Sequence, residues 1–390
     1  MTARRRKQIA AACHRDAISA VSGDRQHVEV MPLSTIAART GLTALFLLGL
    51  SPAIAAPCPA PLLAEVLAPP SAGHTEVSLA CDLALPPDAV VGKRLVFAGK
   101  AASGARLDCH GARLVGSGGV DTGPDRIVIR SRGQTWQAMA ADRPSNITIR
   151  DCRLDGGLRI SGLGDNGQAE AVRQSSLSAG HTARAQAAAP TAITLENMIF
   201  FTTGRIPLYL APGVTGVRLT GSTFTGTSNN PAVYLDAESA GNTITGNRFD
   251  LADHRREVIA IDGSADNTIA DNTFTHVDAG GIFLYRNCGE GGTVRHQTPS
   301  GNVIAGNTFA PRTPASAPAI WIGSRGGRLF WRLATGCSAD GGLPFGSSAD
   351  DGDHADGNAV TDNVFIGIAP ATAIRDDGNG SSLSGNRAGH

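Results

Sequence analysis

A line of near-copies between about 193 and 365 constrains this chain more than any other feature. ITLENMIF (193–200), VRLTGSTF (217–224), NTITGNRF (242–249) and NTIADNTF (267–274) follow one another; NVIAGNTF (302–309) and NAVTDNVF (358–365) come after insertions. The closing Phe positions are 200, 224, 249, 274, 309 and 365, so the steps are 24, 25, 25, 35 and 56. A fixed period in the twenties, lengthened only by insertions, means stacked repeats. Apolar residues within each copy alternate, as around Ile244 and Ile269, which is strand spacing. A unit this small cannot bury its apolar face alone; stacking on its neighbours does so.

The small polar residues decide the kind of solenoid. Asn247, Asn272, Asn307 and Asn363 share one column, with Asn386 as its last member, and Asn242, Asn267, Asn302 and Asn358 open each strand. Asparagine tolerates the left-handed backbone of a sharp corner, and its amide can bond to the amide one rung on. Such ladders between β-branched strands argue for a parallel β-helix; the Leu spacing of a leucine-rich repeat is missing. Here the sequence resembles the right-handed parallel β-helix repeat proteins. That pectin-lyase-like superfamily includes pectate and alginate lyases, C5-epimerases, chondroitinase-type lyases and NosD-type periplasmic proteins. The likeness covers roughly 95–386 and implies an all-β, single-stranded coil with an N-terminal cap and loop insertions. Activity does not follow from a fold.

Charged residues are only 17% of the chain, aromatics 5%, and there are 48 Gly, the make-up of a turn-rich β protein. The first 55 residues hold seven Lys/Arg and three acids, leaving 27 bases and 31 acids for the body, net −4. A near-neutral body gives no electrostatic reason to expect nucleic acid. Residues 31–55 read as a secretory signal: Arg39 before the apolar run GLTALFLLGL (41–50), then Ala53-Ile54-Ala55 as a small-x-small cleavage site. That run is too short to span a membrane. Residues 1–30 lack this logic and read as an upstream extension, with Met31 the expected start.

Six cysteines follow the signal, an even count that suits disulfides in an exported, periplasmic or secreted protein. Cys288 and Cys337 lie in insertions after corresponding strands, so they are expected to pair. The order among Cys58, Cys81, Cys109 and Cys152 stays open. Residues 56–92 are expected to cap the coil, with one strand at 76–80, and 93–390 to form it. LDCHGARL (107–114) resembles the opening rung of NosD-like proteins, with His110 a corner residue. The stretch 163–190 breaks the pattern and is expected to leave the coil as a surface excursion or a lid, with Arg173, His181 and Arg184 its useful side chains.

Each later rung carries a second strand: PLYLA (207–211), AVYLDA (232–237), VIAIDG (258–263), GIFLYR (281–286), AIWIGS (319–324) and TAIRDD (372–377). Aligned on Leu210, Leu235, Ile261, Leu284, Ile322 and Ile374, alternation puts the flanking positions on the outside. One outward column is then Tyr209, Tyr234, Ala260, Phe283, Trp321; the next is Ala211, Asp236, Asp262, Tyr285, Gly323, Arg375. Rings a rung apart suit stacking on sugars, and open apolar surface marks a binding site. The alternative is that the insertions fold over the stripe and bury it.

Asp236 and Asp262 would lie side by side, so one should titrate high. The pair suits acid–base chemistry, including that of a two-carboxylate glycosidase. Ca²⁺ binding and a solvated ladder balanced by Arg255, Arg256 and Arg286 are the other uses; no cofactor is called for. His276, Tyr285 and Arg286 lie nearby in sequence and could serve as base, acid and carboxylate holder of a uronate lyase or epimerase. The Asp-Pro-His motif of the epimerases and the Gly-His-Gly motif of the polygalacturonases are both missing, so no catalytic residue is carried over from either.

The expectation is an exported β-helix that binds and processes an acidic extracellular polysaccharide, by lyase or C5-epimerase chemistry. A two-carboxylate glycoside hydrolase and a non-catalytic glycan-binding or envelope structural protein are the alternatives. The expected site is Asp236, Asp262, His276, Tyr285 and Arg286, with Tyr209, Tyr234, Phe283, Trp321 and Arg256 binding substrate. Oligomeric state is left open.

Overall fold

Three parallel sheets of ten strands each wind into one right-handed β-helix. The computed structural model describes residues 55–389 except 117–120, 122, 166–168, 288–289, 312–316 and 327–341. The expected extension 1–30, nearly all of the expected signal 31–55, and the expected Cys288–Cys337 pair therefore lie outside the described residues. The helix Ala60–Leu67 comes ahead of the first strand of the coil. The first rung begins earlier than the sequence suggested: Glu76–Ser78 pairs with Arg94–Ala98 and belongs to the coil. Cys58 bonds Cys81 and Cys109 bonds Cys152, which resolves the open pairings.

Sheet one carries the strands with Tyr209 and Tyr234, sheet two those with Ile244 and Ile269, and sheet three the Phe column. The six repeated Phe residues stack inside the coil with centroid separations of 4.4, 4.8, 4.7, 4.7 and 5.3 Å. All six are fully buried, each contributing roughly 1.5–3 kcal/mol by leaving water.

Both Asn columns are ladders. The backbone N–H of Asn247 donates to Asn272 Oδ1 at 2.9 Å, that of Asn272 to Asn307 at 3.0 Å, and that of Asn307 to Asn363 at 2.9 Å. The left-handed corner belongs to the residue before each Asn, not to the Asn itself: Gly246, Asp271, Gly306, Asp362 and Gly385 all have φ between 56° and 67°. The Asn can therefore turn inward, and Asn247, Asn272, Asn307 and Asn363 are buried.

Candidate functional site

The register of sheet one follows the expected columns through five rungs. Tyr209 pairs with Tyr234, Tyr234 with Ala260, Ala260 with Phe283 and Phe283 with Trp321; Asp262 pairs with Tyr285. The sixth rung slips by two. Ile374 pairs with Ile320, so Arg375 stands beside Trp321 and not beside Gly323. Its guanidinium lies 4.3 Å over the Trp321 ring, and Asp377 accepts from Trp321 Nε1 at 2.8 Å. Trp321 and Phe283 meet edge to face at 5.5 Å, both half-buried.

The side chains leave the coil's own core but do not reach solvent. Tyr209, Tyr234, Tyr285, Asp236, Asp262 and Arg286 are all buried, which corrects the expectation of an open stripe. The reason is the insertions, which follow strands of sheet one and fold back over it. Helices Glu170–Ser176 and His181–Ala188 come from the first. A strap at 293–297 comes from the second, and the turn Gly346–Ala349 from the third. They lock together: Val294 N donates to Ser176 Oγ at 2.9 Å, Arg295 N to Ser347 Oγ at 3.0 Å, and His296 N to Glu238 Oε1 at 2.7 Å. The stretch 163–190 thus forms part of a cover. Its Arg173 pairs with Glu170, its Arg184 with its own loop, and His181 packs against Ser175 and the His296 ring.

Under this cover lies a polar centre. Tyr209 Oη donates to Asp236 Oδ2, and Tyr234 Oη to Asp262 Oδ2. Arg295 reaches both carboxylates, with Nη1 2.6 Å from Asp262 Oδ1 and Nη2 3.4 Å from Asp236 Oδ1. Asn287 adds two bonds to Asp262, from N at 2.8 Å and Nδ2 at 2.7 Å. Burial pushes the Asp236 carboxyl up to about 6; Arg295 opposes that rise and the neighbouring Asp262 adds to it. Burial also raises the Tyr209 and Tyr234 phenols, each beside a carboxylate.

Tyr285 belongs to an adjoining cluster. Its hydroxyl donates to Glu257 Oε1 at 2.7 Å and accepts from Arg256 at 2.8 Å, while Arg325 lies 3.9 Å over its ring. Arg256 is also held by Glu257 at 2.6 Å. Arg286 is a tether: its side chain donates to the carbonyls of Asp350 and Gly352, and its N–H to Asp353 Oδ1 at 3.0 Å. His276 sits at the end of sheet three, with Nδ1 3.2 Å from Asp250. The structure therefore brings Asp236, Asp262, Tyr209 and Tyr234 together, puts Tyr285 and Arg256 beside them, and turns Arg286 and His276 to other work.

Sequence reasoning missed Arg295, Glu238, Glu257 and Arg325. Arg295 and Arg325 lie in insertions, which have no period and so no column. Chemically, two carboxylates, two phenols and a shared guanidinium can hold and pass a proton. Arg295 occupies the place a Ca²⁺ ion bridging the pair would need. Among the described residues, no group of three or more His, Cys, Asp or Glu could hold a metal.

Residues 142–310 match the family described as "Right handed beta helix region". No curated protein matches the chain in sequence. Among solved structures, the chain is similar to the catalytic domain of a GH87 alpha-1,3-glucanase in complex with nigerose, at 13% identity and a TM-score of 0.38, covering 77% of this chain and 44% of that one. It therefore spans less than half the length of that relative. An endo-xylogalacturonan hydrolase from Aspergillus tubingensis aligns at 12% identity and a TM-score of 0.41, over 79% of this chain and 86% of that one. An alginate lyase from Paenibacillus sp. aligns at 16% and 0.35, over 66% and 75%.

Proposed function

We propose that this chain, a right-handed parallel β-helix protein, is exported and acts on an acidic polysaccharide at the Asp236–Asp262 centre. The observation that carries this is the shared Arg295 between carboxylates of successive rungs, with Asp236 titrating at about 6. A carboxyl poised near the working pH is what general acid catalysis asks for. Asp236 donates the proton and Asp262 is the partner carboxylate, which favours two-carboxylate hydrolysis. The lyase or epimerase assignment would need His276 and Arg286, and both are engaged elsewhere. Substrate reaches the pair when the strap at 293–297 lifts. The two disulfides and the leader-like sequence support export.

A second reading rests on a specific observation: both carboxylates are closed off and fully partnered, so the centre could be a clamp that fixes the insertions to the coil. One screen separates the readings. Polygalacturonate and alginate are incubated with the wild-type protein and with the Asp236→Asn and Asp262→Asn variants. Hydrolysis gives reducing ends that both variants lack, and lyase chemistry gives unsaturated ends absorbing in the ultraviolet. Wild-type protein that releases neither leaves the clamp.

A further inference from the structure

Two tripeptides in the chain have the form Asn-X-Ser/Thr, which marks an acceptor for N-linked glycan on the surface of an exported protein: Asn146-Ile147-Thr148 and Asn379-Gly380-Ser381. The ladder asparagines are not of this form, because the coil puts an inward apolar residue two places after each. Ile244 follows Asn242, Phe249 follows Asn247 and Phe365 follows Asn363, all buried. Asn146 and Asn379 are both exposed, so the backbone around each decides between them.

The first tripeptide is locked into the coil. It runs into the strand Thr148–Arg150, which lies between two other strands of sheet two. Thr148 pairs with Arg106 on one side and with Thr194 on the other. Its N–H donates to the Ala105 carbonyl at 3.1 Å, and the Ile147 carbonyl accepts from Thr194 N at 2.8 Å. Ile147 is fully buried. Lifting this tripeptide into the cleft of a modifying enzyme would open sheet two on both sides.

The second tripeptide joins the strands Ile374–Asp376 and Ser382–Ser384, the last of sheets one and two among the described residues. It is tied to the rung before it. Asp356 Oδ1 accepts from Asn379 N at 3.0 Å and from its Nδ2 at 3.1 Å, and Gly357 N donates to the Asn379 carbonyl at 2.8 Å. Gly380 has φ 66°, and a Cβ there would meet nothing within 4 Å, so the turn is not braced by its neighbours. Ser381 Oγ makes no hydrogen bond among the described residues. The fold thus has no use for the hydroxyl that the tripeptide needs as an acceptor. Asp377 stands two residues ahead of Asn379, where transferases that modify folded proteins read an acid.

We propose that Asn379 is a glycan acceptor, a modification site on the last described rung that carries a sugar chain through an N-glycosidic bond. The donor is a polyprenyl diphosphate-linked glycan held by a transferase of the exporting compartment. The C1–O bond to the diphosphate breaks and a bond from Asn379 Nδ2 to C1 forms. The amide gives up one proton and the lipid diphosphate leaves, with no oxidation or reduction. The modified nitrogen keeps one N–H for Asp356. A glycan on this turn shields the strand edges of the last described rung, where Leu383 is exposed. The proposal rests on the reading of the chain as exported, and not on its acting on polysaccharide.

The test is the mass of the full chain expressed in a host whose exporting compartment carries such a transferase, beside a secreted glycoprotein as control. The exported protein should carry one added glycan, and fragmentation of the proteolytic peptide should place it on Asn379. Asn379→Gln and Ser381→Ala should each abolish the added mass, Ser381→Thr should keep it, and Asn146→Gln should leave it unchanged. Ser381→Ala should keep the wild-type melting temperature, since that hydroxyl is unpartnered, so its loss of glycan does not come from misfolding. Exported wild-type protein without added mass, while the control carries its glycan, would overturn the proposal. So would a glycan on Asn146 in place of Asn379, or one that survives Ser381→Ala. Protein retained in the cytoplasm with its leader uncleaved would overturn the export reading and this proposal with it, which tells the two failures apart.

Discussion

A carboxylate in a dry interior needs an opposite charge and well-placed donors, and Arg295 answers two at once. Breaking such an arrangement is costly because the remaining charges stay buried. Arg295→Met should therefore lower unfolding stability by about 3–5 kcal/mol, read from the denaturant midpoint. The triple variant Asp236→Asn/Asp262→Asn/Arg295→Met, which removes every charge, should recover most of that loss. An Arg295→Met protein with the wild-type midpoint would show that the centre carries no strain when opened. Asp236 and Asp262 were legible in the sequence because strand alternation and a steady period place them in one column. Their burial stood only as the alternative reading, since it depends on insertions that obey no period. Arg295 was invisible for the same reason: nothing local marks which Arg of a loop will turn back onto a sheet.

Ladders and straps act as elements, and their failures are graded by position. Asn272 accepts from both nitrogens of Asn247 and donates to the Ile244 carbonyl at 2.9 Å. Asn272→Ala strands buried donors and should cost about 1–3 kcal/mol. Asn386→Ala, at a half-buried end rung, should cost clearly less; equal melting-temperature losses would contradict the ladder account. The cover has its own pH response. His181, buried beside the His296 ring and near Arg184, is held down to about 3, burial being the main cause. Neutral His181 thus contributes stability that is complete above the unfolded value of about 6.5 and is lost as pH falls below it toward 3. Asp236 works the other way: its contribution is complete below its unfolded value and lost as pH rises through about 6. His181→Gln should shrink the drop in melting temperature between pH 7.5 and pH 4.5, whereas Asp236→Asn should raise stability more at pH 7.5 than at pH 4.5. The opposite signs would place the proton uptake elsewhere.

At the scale of the whole coil, each strand pairs only with those of adjacent rungs, and only the cover ties distant rungs together, so away from the cover stability is close to a sum of rungs and interfaces. The period told this much, and it also set the inward Phe column; the start of the coil it missed, because the first rung at Glu76–Ser78 lacks the Asn and Phe marks of the later ones. Among the described residues no rung precedes that first one, and the helix Ala60–Leu67 and the Cys58–Cys81 bond lie at it instead. An end so placed should fray when the bond is absent, while rungs many steps away feel nothing. The double variant Cys58→Ser/Cys81→Ser should speed hydrogen exchange at Val77, Leu83 and Val91, whose strands form the first rung. Exchange at Ile244, Ile269 and Ile304 in the middle of sheet two should stay at the wild-type rate. The local loss should be about 2–5 kcal/mol, the usual range for a native disulfide. Faster exchange along the entire coil would mean that the rungs unfold as one cooperative unit, and the nearest-neighbour description would fail.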